Sequence, residues 1–169
     1  KTLGLPEQRS SRDRIALASW FDYDNDGFPD LLLGGSLYHN LEGRAFRDST
    51  ERSGLAFDYP VMGCAVADYD CDGKLDLYVL NHSDASKGQQ PGYLDDNVTG
   101  APNQLWRNQG GGRFMDVTRL VGKLETGNRH SFAAVWFHAD LDRFPDLYVV
   151  NDFGKNYLFL SDGRGGLKD

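Results

Sequence analysis

The chain has 169 residues, of which 40% are hydrophobic, and a formal net charge of −7; this length allows one sizeable core. No stretch approaches the roughly eighteen consecutive apolar residues of a membrane-spanning helix, and the basic residues are too scattered to predict a nucleic-acid partner. Lys1 opens the chain and no charged-then-apolar leader follows it, so we interpret the chain as a mature or excised piece.

The first predicted elements are short strands around an acidic loop. An apolar run at 15–20 leads into loop one (residues 22–30), apolar runs follow at 31–33 and 37–40, and a Phe-x-Asp-x-Thr element lies at 46–50. Such runs are rich in Val, Leu, Tyr, Trp and Phe and are bounded by Gly, Asn and Asp. They are too short for helices and indicate β-strands.

The same pattern recurs twice further along the chain. The second copy has runs at 64–67, 77–80 and 105–108 around loop two (residues 68–76), and the third has runs at 132–137, 147–150 and 157–160 around loop three (residues 138–146). We therefore divide the chain into units of about 1–50, 51–118 and 119–169. Only 120–124 suggests a helical turn.

The second unit is longer than the first because of an insertion at about 82–102, which has the composition of a surface loop. Two interpretations of it remain open. A long loop on a rigid scaffold is a common place for a unit-specific function, but surface insertions are also tolerated at little cost in stability.

Several short strands in each unit fit the blade of a β-propeller, a small antiparallel sheet whose faces pack against its neighbours. The sequence thus predicts an all-β protein, a partial β-propeller over residues 1–169 with about three four-stranded blades. Because three blades cannot close a ring, we expect the rest of the propeller or other subunits to complete it.

Loops one and two carry carboxylates at positions 1, 3, 5 and 9 and glycine at position 6. Hard oxygen ligands around a sharp turn are typical of a Ca²⁺ site. The simpler alternative, an Asp-Gly turn that only joins two strands, does not explain the same spacing twice. The predicted ligands of two Ca²⁺ ions are the side chains of Asp22, Asp24, Asp26, Asp30, Asp68, Asp70, Asp72 and Asp76 and the backbone carbonyls of Phe28 and Lys74.

An EF-hand begins in the same way but requires a bidentate glutamate at position 12 and helical flanks. Position 12 is Leu33 in loop one and Val79 in loop two, each inside a β-prone run. The EF-hand interpretation is therefore rejected.

Loop three departs from the pattern, with His138 at position 1 and Arg143 in place of the turn glycine. The arginine adds a positive charge and disfavours a left-handed turn. We expect loop three to be metal-free and held by internal ion pairing, with Asp140, Asp142 and Asp146 as weaker metal candidates.

The segments at 67–79, 103–108 and 114–118 resemble the FG-GAP/VCBS repeats of integrin-type β-propellers. They are similar in particular to the group of cartilage acidic protein and UnbV-like proteins. The resemblance covers essentially the whole chain. It implies a propeller that is commonly seven-bladed, with Ca²⁺ in the loops, in an extracytoplasmic protein that is secreted, periplasmic or on the cell surface.

The function expected from these features is a non-catalytic, calcium-stabilised scaffold that binds a protein or a glycan in adhesion or assembly. The alternative is the propeller domain of a polysaccharide lyase or hydrolase. The sequence contains no nucleophile elbow and no metal-water site of two histidines and an acid. Individual candidates are interpreted structurally: Trp20, Trp106 and Trp136 as core rather than sugar-stacking residues, and Cys64 as a buried small hydrophobe rather than a disulfide partner of Cys71.

Overall fold

The computed structural model describes residues 3–5, 17–59, 61–81, 100–122, 124, 129–152 and 154–169. These residues form three antiparallel sheets, each with four strands in chain order. The first sheet contains β1 (Ala18–Phe21), β2 (Asp30–Leu33), β3 (Ser36–Asn40) and β4 (Phe46–Asp48). The second contains β5 (Val61–Ala67), β6 (Asp76–Asn81), β7 (Gln104–Gly110) and β8 (Arg113–Asp116). The third contains β9 (Ser131–Phe137), β10 (Asp146–Asn151), β11 (Tyr157–Ser161) and β12 (Leu167–Lys168).

The predicted all-β class and the four-stranded units are thus confirmed, and the sheets are arranged like propeller blades. Their first strands lie side by side, with β1 against β5 and β5 against β9. Residues 82–99 of the predicted insertion lie outside the described part of the chain.

Each acidic loop joins the first and second strands of its sheet. The residue before the loop pairs with the aspartate at position 9, as Phe21 with Asp30 and Ala67 with Asp76. Phe137 and Asp146 form the equivalent pair in the third sheet. The strand register therefore holds the two ends of all three loops in the same geometry.

The second sheet is the middle layer, and β6 is buried along its whole length. Side chains alternate across a strand, so Leu77 and Val79 join a cluster with Leu32 of the first sheet, while Tyr78 and Leu80 join one with Leu147 of the third. Burial of each such leucine or valine contributes roughly 1.5–3 kcal/mol. Packing on both faces makes β6 the centre of the described core.

The tryptophan predictions have different outcomes. Trp106 is buried, with 5% of its surface exposed, and Trp136 is partly buried against Tyr69 and Tyr78. Trp20 does not pack in the core of the described chain, since it is 57% exposed. Trp20 and Trp136 occupy equivalent positions in β1 and β9, but the face of the first sheet that bears Trp20 has no neighbouring sheet in the described chain.

A four-residue helix, α1 (Thr50–Ser53), follows β4 and was not anticipated from the sequence. It ends at Gly54, which adopts the left-handed conformation with φ of 75° and so makes a favourable helix end. At the equivalent place in the second unit, the amides of Leu120 and Val121 both donate to the carbonyl of Val117. The helical turn predicted at 120–124 therefore begins three residues earlier.

Both cysteines are free, as expected. Cys64 packs at the edge of the core between the first and second sheets, and burial raises the pKa of its thiol. Cys71 is exposed in loop two. No helix in the described ranges is long and apolar enough to cross a membrane.

Candidate metal centres

The carboxylate at position 1 shapes each of the two complete loops. In loop one, Asp22 accepts hydrogen bonds from the amides of Asp26 (3.1 Å) and Gly27 (2.8 Å). In loop two, Asp68 accepts equivalent bonds from the amides at positions 5 and 6, both at 2.8 Å. Gly27 and Gly73 adopt φ of 89° and 86°, a conformation that disfavours other residues. The glycine of the motif is therefore required by the turn.

The aspartate at position 9 is buried in all three loops, with at most 1% of its surface exposed. Its carboxylate accepts one amide hydrogen bond from loop position 2 and another from the third strand of the same sheet. The amide donors are Tyr23 and Asn40 to Asp30, Tyr69 and Asn108 to Asp76, and Ala139 and Ser161 to Asp146. Position 9 thus has a structural role that the sequence did not reveal, since it persists in loop three.

Positions 1, 3 and 9 converge in loops one and two. One oxygen from each member of a triad lies within 4.8 Å of the other two, in Asp22, Asp24 and Asp30 and again in Asp68, Asp70 and Asp76. Both triads can hold a metal ion. Oδ1 of Asp24 and Oδ1 of Asp70 are buried and have no hydrogen-bond partner. A buried carboxylate oxygen without a partner is costly, so the residues present fit a bound cation.

The electrostatics of the triads favour the same conclusion. Burial raises the pKa of Asp24, and the neighbouring charge of Asp26 raises it further. Burial also raises the pKa of Asp30. Burial and the charges of Asp70 and Asp72 raise the pKa of Asp76 to about 7, against the lowering effect of its backbone hydrogen bonds. The ionised loops therefore carry an electrostatic cost that a divalent cation would relieve.

Position 5 lies outside these triads. Oδ1 of Asp26 accepts the amide of Phe28 at 2.9 Å, and Asp26 belongs to a second possible metal group with Asp24 and His39. Asp72 accepts the amide of Lys74 at 3.1 Å. The proposed carbonyl ligands of Phe28 and Lys74 stay predictions.

Two residues on the third strands, His39 and Arg107, face the acidic loops. The sequence pattern did not predict them as site residues. In loop one, Nδ1 of His39 lies 3.3 Å from Oδ2 of Asp24 and 3.2 Å from Oδ1 of Asp30. In loop two, Nε of Arg107 lies 2.6 Å from Oδ2 of Asp70. His39 and Arg107 each stand immediately before an asparagine at the end of an apolar run. This shared position in the repeat is the sequence signal that could have identified His39 and Arg107 as site residues.

Loop two also contains a lysine that loop one lacks. Nζ of Lys74 lies 2.6 Å from Oδ2 of Asp72, and Nη2 of Arg107 lies 3.2 Å from the same oxygen. Burial alone would raise the pKa of Asp72, but the hydrogen bonds and charge of Lys74, together with the charge of Arg107, lower it overall. The two complete loops therefore differ in charge although their four aspartates match.

Loop three is held differently. Nδ1 of His138 donates to the carbonyl of Phe144 at 3.2 Å, the position-7 carbonyl proposed as a ligand in the other loops. The guanidinium of Arg143 lies over the ring of Phe144, 5.0 Å from its centroid, and within the described residues it forms no ion pair with a carboxylate. The expected internal ion pairing of Arg143 is therefore wrong. Asp140, Asp142 and Asp146 form no metal-holding group in this loop, all of which is described.

Adjacent loops are also linked to one another. Nδ2 of Asn25 in loop one donates to the carbonyl of Gly73 in loop two at 3.0 Å. Cys71, at the same position of loop two, directs its Sγ to the carbonyl of Arg143 in loop three at 3.8 Å. The three loops therefore lie in a row along one side of the packed sheets.

Packed four-stranded antiparallel sheets, each with an acidic loop between its first two strands, define a β-propeller-like repeat protein with candidate cation sites. The FG-GAP-like repeat family matches residues 22–79. The match begins at the first aspartate of loop one and continues into the strand after loop two, so it contains both complete loops. The sequence resemblance to FG-GAP repeats is confirmed for this segment. No curated protein matches the chain, and the narrower grouping with cartilage acidic protein and UnbV-like proteins stays a prediction.

Proposed function

We propose that the chain is a non-catalytic β-propeller scaffold stabilised by Ca²⁺ in loops one and two. The observation that carries the proposal is the pair of equivalent carboxylate triads, each with a buried oxygen that lacks a hydrogen-bond partner. Carboxylates are hard ligands that suit Ca²⁺. When bound, the ion would neutralise the loop charge. The residues that would hold it are Asp22, Asp24 and Asp30 in loop one and Asp68, Asp70 and Asp76 in loop two.

We further propose that additional blades, or other subunits, cover both outer faces of the described sheets. Trp20 is 57% exposed on the free face of the first sheet. On the third sheet the exposed apolar side chains include Val135 (52%), Phe137 (38%), Leu158 (37%) and Leu160 (38%). Apolar sheet faces of this kind are normally buried against a neighbouring blade. A complete ring of seven blades is the form that the family resemblance supports.

An extracytoplasmic location is part of the same proposal. FG-GAP repeats are typical of extracellular proteins, and the sites described here are partly exposed loops rather than closed cages. Extracellular Ca²⁺ would saturate even weak sites, with dissociation constants on the order of 10⁻⁴–10⁻³ M. The metal would therefore be a permanent structural component rather than a signal.

The scaffold offers a concave surface for a protein or glycan partner beside the second sheet. A groove of about 480 Å³ is lined by both polar and apolar side chains, including Tyr59, Gln104, Asp116 and Leu120. Oε1 of Gln104 is buried and lacks a hydrogen-bond partner. Such a mixture of aromatic and polar groups suits a sugar or a polar peptide segment.

Isothermal titration with Ca²⁺ tests the metal part of the proposal. We expect two ions per chain, because only loops one and two gather a triad among the described residues. The double variant Asp22→Asn and Asp68→Asn should bind neither ion, and Asp140→Asn in loop three is the matched control that should bind both. Absence of heat and of saturation at millimolar Ca²⁺ would contradict the proposal.

A polysaccharide panel tests the non-catalytic part. The calcium-loaded chain is expected to release no oligosaccharides or unsaturated products from any polysaccharide of the panel. Product formation would favour the lyase or hydrolase alternative. In that case the residues to mutate are His82 and Asp95, which belong to the insertion at about 82–102 and lie outside the described residues.

A further inference from the structure

We propose that the side chain facing each loop from the third strand sets its affinity for Ca²⁺. Arg107 acts as an internal cation that weakens loop two, and His39 leaves loop one as the stronger site. This inference rests on the proposed function, since it ranks two sites that the function assumes. It predicts unequal affinities for loops whose four aspartates are spaced identically.

Loop two is already partly neutralised from within. Arg107 bridges Asp70 and Asp72, with N–O distances of 2.6 and 3.2 Å, and Lys74 pairs with Asp72 at 2.6 Å. The side chain of Asp70 is 11% exposed and that of Arg107 is 37% exposed, so water screens their pairing only in part. A Ca²⁺ ion in the triad must either share Asp70 with the guanidinium or displace it. Both routes weaken binding.

Loop one has no fixed positive charge at the equivalent place. His39 is 14% exposed and lies within hydrogen-bond distance of both Asp24 and Asp30. An imidazole nitrogen can act as a metal ligand, and His39 lies in a possible metal group with Asp24 and Asp26, whereas a guanidinium has no atom that can bind a cation. Among the described residues, no lysine or arginine forms an ion pair with a carboxylate of loop one, in contrast to loop two.

The comparison depends on a single position of the repeat. His39, Arg107 and Leu160 stand directly before Asn40, Asn108 and Ser161, the residues of β3, β7 and β11 whose amides donate to the position-9 aspartates. Their partners on the fourth strands are Arg47, Met115 and Lys168, which shows that the register is equivalent in the three sheets. Because the backbone is equivalent, exchanging side chains at this position exchanges the local charge without moving the loop.

The test is a Ca²⁺ titration of the ¹⁵N-labelled chain followed by NMR at two amides. The amide of Gly27 donates to Asp22 inside loop one, and that of Gly73 donates to Asp68 inside loop two. Each amide therefore reports its own site. In the wild-type chain we expect half-saturation at Gly27 at a Ca²⁺ concentration at least about tenfold lower than at Gly73.

Each reciprocal variant should remove about a factor of ten from this difference. Arg107→His is expected to tighten loop two by about tenfold, and His39→Arg to weaken loop one by a similar factor. Arg107→Leu, which introduces the residue of the third unit, should also tighten loop two. Arg113→His is the matched control, because Arg113 lies on β8 in a groove with Glu51 and Arg52 and forms no ion pair with a loop aspartate among the described residues, so its replacement should change neither affinity. Melting temperatures in EDTA establish that each variant is folded. If one variant does not fold, the Ca²⁺ affinities of the other two test the inference.

The outcomes separate this inference from the proposed function. If both glycines respond to Ca²⁺ but Arg107→His, Arg107→Leu and His39→Arg leave the ratio of the two affinities unchanged, the inference is wrong and the calcium scaffold stands. If neither glycine responds in any variant, the proposed function fails and this inference fails with it.

Discussion

Excess EDTA is expected to lower the melting temperature of the calcium-loaded chain by about 8–16 °C. A ligand that binds only the folded state stabilises it by about 2.7 kcal/mol at a hundred times its dissociation constant, and by about 1.4 kcal/mol at ten times. Loop one is the stronger site and loop two the weaker, so together they contribute about 4 kcal/mol. In a chain of 169 residues, each kcal/mol corresponds to roughly 2–4 °C.

Differential scanning calorimetry with and without EDTA measures this shift. The Asp22→Asn and Asp68→Asn double variant should melt at the same temperature in both buffers, whereas Asp140→Asn should keep the full shift. Restoring Ca²⁺ in excess over EDTA should recover the original melting temperature. A wild-type melting temperature that does not change on chelation would remove the structural role assigned to the metal.

Replacing Asp76 by alanine is expected to destabilise the calcium-loaded chain by about 5 kcal/mol. The carboxylate accepts the backbone amides of Tyr69 and Asn108, both of them in residues at most 3% exposed. Each buried amide left without an acceptor costs about 1–3 kcal/mol. Loss of the loop-two site adds about 1–3 kcal/mol, according to how far Ca²⁺ exceeds its dissociation constant. The total is a large part of the roughly 5–15 kcal/mol that stabilises a domain.

The matched variant is Asp146→Ala in loop three. Asp146 makes the same two types of hydrogen bond, but Ala139, one of its donors, is exposed and can bond to water instead. We expect a smaller loss of about 1–2 kcal/mol, identical with and without Ca²⁺.

Urea unfolding in Ca²⁺ and in EDTA distinguishes the two aspartates. For Asp76→Ala the loss should shrink in EDTA, because the metal contribution is gone. The raised pKa of Asp76, caused first by burial, means that its ionised form is itself costly in the metal-free fold, and this reduces the loss further. Equal losses for Asp76→Ala in the two buffers would exclude metal binding by this residue.

Much of the fold could be predicted from the repeated pattern of short apolar runs. Each run became a strand of the expected sheet, because a β-prone segment bounded by turn residues has few alternatives. The turn in loops one and two was equally predictable, since Gly27 and Gly73 occupy a backbone conformation that other residues adopt at a cost. The helix α1 was missed because four residues give no helical period to detect.

The candidate site was only partly predictable. The spacing identified Asp22, Asp24 and Asp30 as a group, and the structure brings them together. From the sequence, the aspartate at position 9 was predicted only as a metal ligand. The structure shows that Asp30 also joins loop one to β3, because its carboxylate accepts the amide of Asn40. The sequence pattern also did not predict Arg107, whose nearest carboxylate belongs to Asp70 in another part of the unit.

By itself, the sequence determined the acidic loops, the strands around them and the repeat that relates them. These depend on backbone conformation and charge spacing within a few residues, which are local properties. Only the tertiary structure decided which side chains face the loops and which apolar faces are covered. His39 and Arg107 reach the carboxylates through the pairing of the second and third strands, and Trp20 is exposed because no sheet in the described chain packs against it. Such contacts depend on register and on neighbouring sheets, so two loops with the same aspartates acquire different electrostatic environments.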